Sequence, residues 1–381
     1  MKCDTMQYRR FGKTGLQLSV FSVGTMRSLS TAEIFTKTVS AAIDRGINHI
    51  ETARGYGQSE LLLGQTLQQL GAATRDRLII TTKIPPTADA ASMAAQIDES
   101  LQRLQIDAID CLAVHGINTP EHLAWVQAPE GCMAALQAAQ QAGKIRHIGF
   151  STHGSLELIT AAINTGLFAF VNLHYYAFFR RHEPAVKLAQ QHDLGVFIIS
   201  PADKGGLLYT PPARLRELCA PFEPLHLTYR WLLSQPAVTT LSIGPAAPDE
   251  LAYPLAVCDR TESLNAAEVA ALARLEAAAQ ETLGSDRCQQ CYACLPCPES
   301  INIPEVLRLR NLAVAYDMAE YGQYRYRMFE NAGHWFSGRK GNRCTDCGDC
   351  LPRCPSELPI PELLRDAHQR LNGPDRRRLW G

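Results

Sequence analysis

The 381-residue chain is short of several things, and each shortage narrows its class. It has no run of about 18 apolar residues, which excludes an ordinary transmembrane helix. Its formal net charge is −1, so no global basic field points to nucleic acid. Its first residues, MKCDTMQYRR, lack the apolar stretch of a secretory leader. A cytoplasmic location, without membrane attachment, is therefore expected, where structural disulfides are rare. Low-complexity tracts are missing, and no internal repeat stands out beyond a strand–helix rhythm. What the chain does hold is cysteine, 13 in all, unevenly spread. Cys3, Cys111, Cys132, Cys219 and Cys258 are scattered; the other eight follow residue 287.

Short β-type runs alternate with helix-type runs from residue 21 to about 258. The strand candidates are Phe21–Val23, Asn48–Thr52, Leu78–Lys83, Ile109–His115, Ile145–Ser151, Ala169–Tyr175, Gly195–Pro201 and Thr239–Gly244. They barely alternate in polarity, as strands buried on both faces of a parallel sheet do. Helical periodicity fills the gaps, as in Thr31–Asp44 before Gly46 and Ser59–Leu70 before Gly71. Eight such units in this length give the rhythm of a (β/α)8 TIM barrel, with an open doubly wound sheet as the alternative. Tyr8–Phe11 and Leu16–Ser19 flank Gly12-Lys13-Thr14-Gly15 and predict a hairpin able to plug the barrel floor. The expected division is a barrel over 1–262, a connecting helix over 263–284 and a mostly helical cysteine-rich domain over 285–381.

The late cysteines form two arrays. The first is Cys288, Cys291, Cys294 and Cys297 before Pro298; the second is Cys344, Cys347, Cys350 and Cys354 before Pro355. The second has the bacterial ferredoxin spacing, in which the fourth cysteine ligates the other cluster. The first is one residue shorter before its last cysteine. Applied here, that exchange gives one 4Fe-4S cluster to Cys288, Cys291, Cys294 and Cys354, and the other to Cys344, Cys347, Cys350 and Cys297. Two tetrahedral zinc sites are the competing assignment. The long, largely helical stretch between the arrays suggests a helical two-cluster module, not a compact small ferredoxin.

Four polar residues stand at or just after strand ends: Glu51, Tyr56, Lys83 and His115. In a barrel those ends converge on one face. Tyrosine is a weak acid near neutrality. An adjacent ammonium favours tyrosinate and improves it as a proton donor, a carboxylate holds the ammonium, and histidine orients a carbonyl oxygen.

Tyr8-Arg9-Arg10-Phe11-Gly12-Lys13-Thr14-Gly15-Leu16, Glu51-Thr52-Ala53 through Tyr56-Gly57 to Ser59-Glu60, Thr82-Lys83, Val114-His115 and Gly149-Phe150-Ser151 together resemble the aldo/keto reductase family. With the cysteine arrays, the chain resembles the subgroup carrying a C-terminal 4Fe-4S ferredoxin-type domain. The resemblance implies a barrel that binds NAD or NADP, hydride transfer between carbonyl and alcohol, and Tyr56, Lys83, His115 and Glu51 as the catalytic set. It also implies cofactor contacts at Gly24, Thr25, Met26, Ser151, Thr152, Asn172, Ser200, Lys204, Gly206 and Gly244. Three positions depart from the family pattern. Glu51 stands in place of aspartate, and Asn172 in place of the glutamine that holds the carboxamide. The stretch Gly244 to Glu250 has no basic residue for a 2′-phosphate, so the choice between NAD and NADP stays open.

The rim residues Tyr175, Tyr176, Phe178 and Phe179 beside Arg180 and Arg181 suit either an anionic substrate or loop packing. Trp125 is placed in a long loop after the fourth strand. Nicotinamide yields two electrons as hydride, whereas each cluster passes one. The clusters therefore exchange electrons with an external carrier such as a ferredoxin, or are structural or redox-sensing. A third reading makes the chain a nicotinamide-binding electron-carrier or regulatory subunit with little turnover. Arg376-Arg377-Arg378 offer a docking point for an acidic partner or simply a solvated tail.

Overall fold

The computed structural model describes residues 5–201, 208 and 210–374. Lys204, Gly206 and the Arg376–Arg378 tail, singled out above, lie outside the described residues. The chain divides into two compact units. One joins the residues before 207 to Thr228–Ser263; the other joins the segment ending at Leu227 to the chain from Leu264 onward. The second unit therefore takes in a stretch interrupting the barrel, which includes the helix Ala213–Cys219.

The first unit starts with an antiparallel hairpin, β1 (Tyr8–Arg10) and β2 (Gln17–Ser19). Eight further strands follow: β3 (Phe21–Gly24), β4 (His49–Glu51), β5 (Ile79–Ile84), β6 (Ile109–His115), β7 (Ile145–Ser151), β8 (Phe170–Leu173), β9 (Gly195–Ile199) and β10 (Thr240–Ile243). They close into a barrel in chain order, β10 pairing with β3, and every ladder is parallel. This excludes the open doubly wound sheet. Nearly every strand residue is buried, because the polar inner layer is covered as fully as the apolar outer one.

The hairpin plugs the barrel floor as expected. Phe11, fully buried, packs on Phe170 with ring centroids 5.1 Å apart, within a cluster that includes Leu18, Cys111, Ala113 and Phe197. The approach requires glycine at 195, where a Cβ would lie 2.2 Å from the Phe11 ring. Above this floor a polar layer crosses the barrel. His49 Nδ1 lies 2.6 Å from Ser22 Oγ and Nε2 lies 2.7 Å from Thr81 Oγ1. Ser22 Oγ in turn lies 2.6 Å from Thr240 Oγ1.

Two element assignments change. Trp125 lies on a helix, Pro120–Gln127, and not in a loop: Thr119 accepts from the His122 N–H as N-cap and Pro120 sits in the first turn. The strand candidate Ala169–Tyr175 is trimmed to Phe170–Leu173, because the chain turns away at His174 and Tyr175 packs outside the ladder.

The second unit is largely helical, with Ala266–Leu283, Ile303–Tyr316, Ala319–Tyr326 and Ile360–Leu371 among its described helices. Asn265 and Glu268 form a capping box at the start of the first. The cysteine runs themselves carry almost no regular secondary structure.

An internal repeat exists here after all. Cys294-Leu295-Pro296 matches Cys350-Leu351-Pro352, and Ile303-Pro304-Glu305-Val306-Leu307-Arg308 matches Ile360-Pro361-Glu362-Leu363-Leu364-Arg365. The backbone repeats too. Left-handed φ values fall at Gln290 and Asp346 (both 56°), at Tyr292 and Gly348 (62° and 79°), and at Ser300 and Glu357 (57° and 50°). Arg353 is the one residue of the second run with no counterpart in the first.

Candidate functional site

Parallel register brings the strand-end residues of the barrel to one rim. Glu51 pairs across to Gly24 and Thr81, Lys83 to Ala113, His115 to Ser151, and Ser151 to Asn172. Lys83, 1% exposed, forms an ion pair with Glu51, itself 5% exposed. Its Nζ also donates to the Thr52 carbonyl at 2.8 Å and to the Tyr56 hydroxyl at 3.4 Å. Burial pushes the Lys83 ammonium well below the usual lysine range. The His115 ring meets the Tyr56 ring edge-on at 5.7 Å. The four catalytic candidates thus form one cluster, and the longer Glu51 side chain still reaches Lys83.

Two neighbours, Ser242 and Arg27, escaped sequence reasoning, and Gly24 has a part beyond the cofactor contact expected of it. Ser242, on β10, donates to Glu51 Oε1 at 2.9 Å and fixes the carboxylate from across the barrel seam. Gly24 gives this contact its room, since a Cβ there would lie 2.7 Å from Ser242 Oγ and 3.1 Å from Glu51 Oε1. Arg27, on the loop after β3, donates to the Gly244 carbonyl and pairs with Glu250 at 2.7 and 3.1 Å. A guanidinium therefore does reach the loop after β10, from the wrong end of the chain for a sequence reading, and a carboxylate already holds it. Only Ser242's place on a strand end carried any signal.

Among the cofactor candidates, Asn172 is fully buried at the rim, and neither its amide nitrogen nor its amide oxygen has a hydrogen-bond partner. A buried, unsatisfied amide is costly, and a planar carboxamide would satisfy both atoms. The residues present thus fit a nicotinamide. Thr25 and Thr152 are different. Their buried hydroxyls already donate to Glu51 O at 3.0 Å and Ile117 O at 2.7 Å, and these bonds shape the loops they sit in. Ser151 Oγ likewise accepts from the Gly116 N–H at 3.0 Å. Met26, Ser200 and Gly244 are half-buried, with Ser200 at φ 56° just past β9. At the rim, Tyr175 packs on Trp231, its hydroxyl donating to Gln235 at 2.8 Å, and Arg180 stacks on the same indole at 4.8 Å. This supports packing for those two residues.

In the second unit the eight cysteines gather crosswise. Cys288, Cys291, Cys294 and Cys354 line one pocket; Cys344, Cys347, Cys350 and Cys297 line another. The apolar walls swap in the same way: Pro304, Leu307 and Ile360 close the first, and Pro361, Leu364 and Ile303 the second. Burial, foremost, pushes the Cys288 thiol up to about 11 and Cys294 up to about 12. Among the described residues, no group of three His, Cys, Asp or Glu side chains is close enough to hold a single metal ion. Each tetrad is spread round a wider space, which fits a multi-iron cluster better than one zinc ion with its sulfurs about 2.3 Å away.

The aldo/keto reductase family pattern matches residues 21–277. The chain belongs to the aldo/keto reductase family. A 4Fe-4S dicluster domain pattern matches residues 287–358. Relatives that share the reductase part include the L-glyceraldehyde 3-phosphate reductase of Escherichia coli, 32% identical over 166 residues, which cover 39% of this chain and 46% of that enzyme. An aldo-keto reductase of Bacillus subtilis is 32% identical over 163 residues, 38% of this chain and 47% of that protein. The chain thus spans about half the length of these curated relatives. An aldo-keto reductase of Bacillus halodurans shares the fold with a TM-score of 0.62 at 22% identity, covering 71% of this chain and 96% of that one. The barrel is the aldo/keto reductase barrel.

Proposed function

We propose that the protein interconverts a small carbonyl compound and its alcohol with NAD(P)H, and that its second unit carries two 4Fe-4S clusters for one-electron exchange with an external carrier. The observation that carries the first part is Lys83, buried between the Glu51 carboxylate and the Tyr56 hydroxyl.

A bound nicotinamide supplies hydride to the carbonyl carbon. The chain's own groups do the rest. Tyr56 donates its phenolic proton to the carbonyl oxygen, and the Lys83 ammonium stabilises the tyrosinate left behind. Glu51 and the Thr52 carbonyl hold Lys83 on target, and Ser242 holds Glu51. His115, edge-on to Tyr56, fixes the carbonyl oxygen against the phenol. The Asn172 amide would hold the cofactor's carboxamide. In alcohol oxidation Tyr56 takes the proton instead.

The second part rests on the two crossed tetrads. They would hold the clusters through Cys288, Cys291, Cys294 and Cys354 and through Cys297, Cys344, Cys347 and Cys350.

The test is Tyr56→Phe in the anaerobic holoprotein, assayed on a carbonyl panel with NADH and NADPH. The expected loss in kcat is about 10²- to 10⁴-fold, with nucleotide binding retained. A variant as active as wild type would remove Tyr56 from the reaction. A wild type that binds nucleotide but turns over nothing would favour the carrier reading.

A further inference from the structure

The two cluster sites are related by the repeat, and nearly every wall residue of one has its match in the other. The mismatches are electrical. Around Cys288, Cys291, Cys294 and Cys354 the cavity has no charged wall residue. Around Cys297, Cys344, Cys347 and Cys350 it has two, Glu299 and Arg353. Glu299, whose repeat counterpart is Ser356, lies 3.5 Å from the Arg339 guanidinium, which offsets its charge. Arg353 has no such offset among the described residues. Its guanidinium donates to two carbonyls, Asp349 O at 2.8 Å and Pro296 O at 2.9 Å. Pro296 immediately precedes Cys297, and Arg353 immediately precedes Cys354. The added residue therefore ties together the two segments that exchange ligands, and leaves a full positive charge on the wall of one site only.

Cluster potentials follow local charge, hydrogen bonding and exposure. A cluster becomes more negative by one charge on reduction, so a nearby cation stabilises its reduced form. Resting on the two-cluster reading above, we propose that Arg353 makes the site of Cys297, Cys344, Cys347 and Cys350 the more readily reduced of the two. A single electron entering the module then settles there. The electron comes from an external one-electron donor; one cluster gains it, and no bond is made or broken.

The test uses anaerobic holoprotein whose iron and acid-labile sulfide are measured first, followed by EPR at stepped potentials with dithionite. Two separate one-electron steps are expected. Arg353→Gln should lower the upper step and leave the lower one in place. Arg353→Lys loses the fork but keeps the charge and should preserve most of the separation. Added salt should narrow the separation in the wild type, since the cation is only half-buried. Cys347→Ser should alter the signal of the upper step. Coincident steps, an upper step untouched by Arg353→Gln, Arg353→Lys behaving like Arg353→Gln, or Cys347→Ser altering the lower step would each overturn the proposal. Iron and sulfide short of two clusters would instead overturn the reading beneath it.

Discussion

Lys83 is held by three groups of one short segment, Glu51, Thr52 and Tyr56, and the carboxylate is held in turn from β10, so its geometry depends on small residues as much as on charged ones. Gly24→Ala should push Ser242 or Glu51 aside, because the new methyl would stand 2.7 Å from Ser242 Oγ. An expected kcat loss of about 10- to 100-fold with an unchanged circular dichroism spectrum would show it; unchanged kcat would mean that the carboxylate tolerates the shift. His49, a layer below, makes a second residue-scale prediction. Burial and, secondarily, Lys83 depress its pKa to about 3 in the fold, from about 6.5 in the unfolded chain. Acid therefore protonates the unfolded chain first. Stability falls as pH drops from about 6.5 toward 3, by up to about 1.4 kcal/mol per pH unit. His49→Gln should be less stable at pH 7 and show a flatter decline of Tm between pH 6.5 and 4; an identical slope would contradict this. Glu51, Tyr56, Lys83 and His115 were legible because strand ends of a parallel barrel converge, and position in a strand can be read locally. Ser242 and Arg27 were not, nor was Gly24's part in seating the carboxylate, since what matters about each is a partner more than 25 residues distant along the chain.

Among the elements, the hairpin does most with least. Three-residue strands have little stability alone; β1 and β2 persist because Phe11 enters the barrel floor. Phe11→Ala should cost about 3–5 kcal/mol, read as a lower urea midpoint for barrel unfolding, and a cost below about 1 kcal/mol would make the plug ornamental. The barrel strands were legible from their short, doubly buried runs between turn residues. The helix Pro120–Gln127 was not. It is weakly patterned, with only Leu123 and Val126 buried, and its start is set by the Thr119 cap instead of by periodicity. The cysteine-module repeat was missed for a different reason. Its two copies are brief and fall out of step at Arg353, so a fixed-period scan does not align them.

For the whole molecule, the contrast lies between a unit that carries its own core and segments that rely on bound inorganic centres. The runs around Cys288–Cys297 and Cys344–Cys354 have few ladder or helix hydrogen bonds, and their order would come from the iron they bind. Stripping iron and sulfide from the holoprotein should therefore open both runs together to limited proteolysis, while fragments spanning the barrel survive. Cleavage confined to one run would contradict the crossed assignment. The crossing also has a bearing on biosynthesis. Cys291 leaves the ribosome long before Cys354, which would close the same tetrad, so the first centre would wait on the last residue of the second run. A message ending between Cys350 and Cys354 would encode all four cysteines of the second site and a first site that lacks one corner.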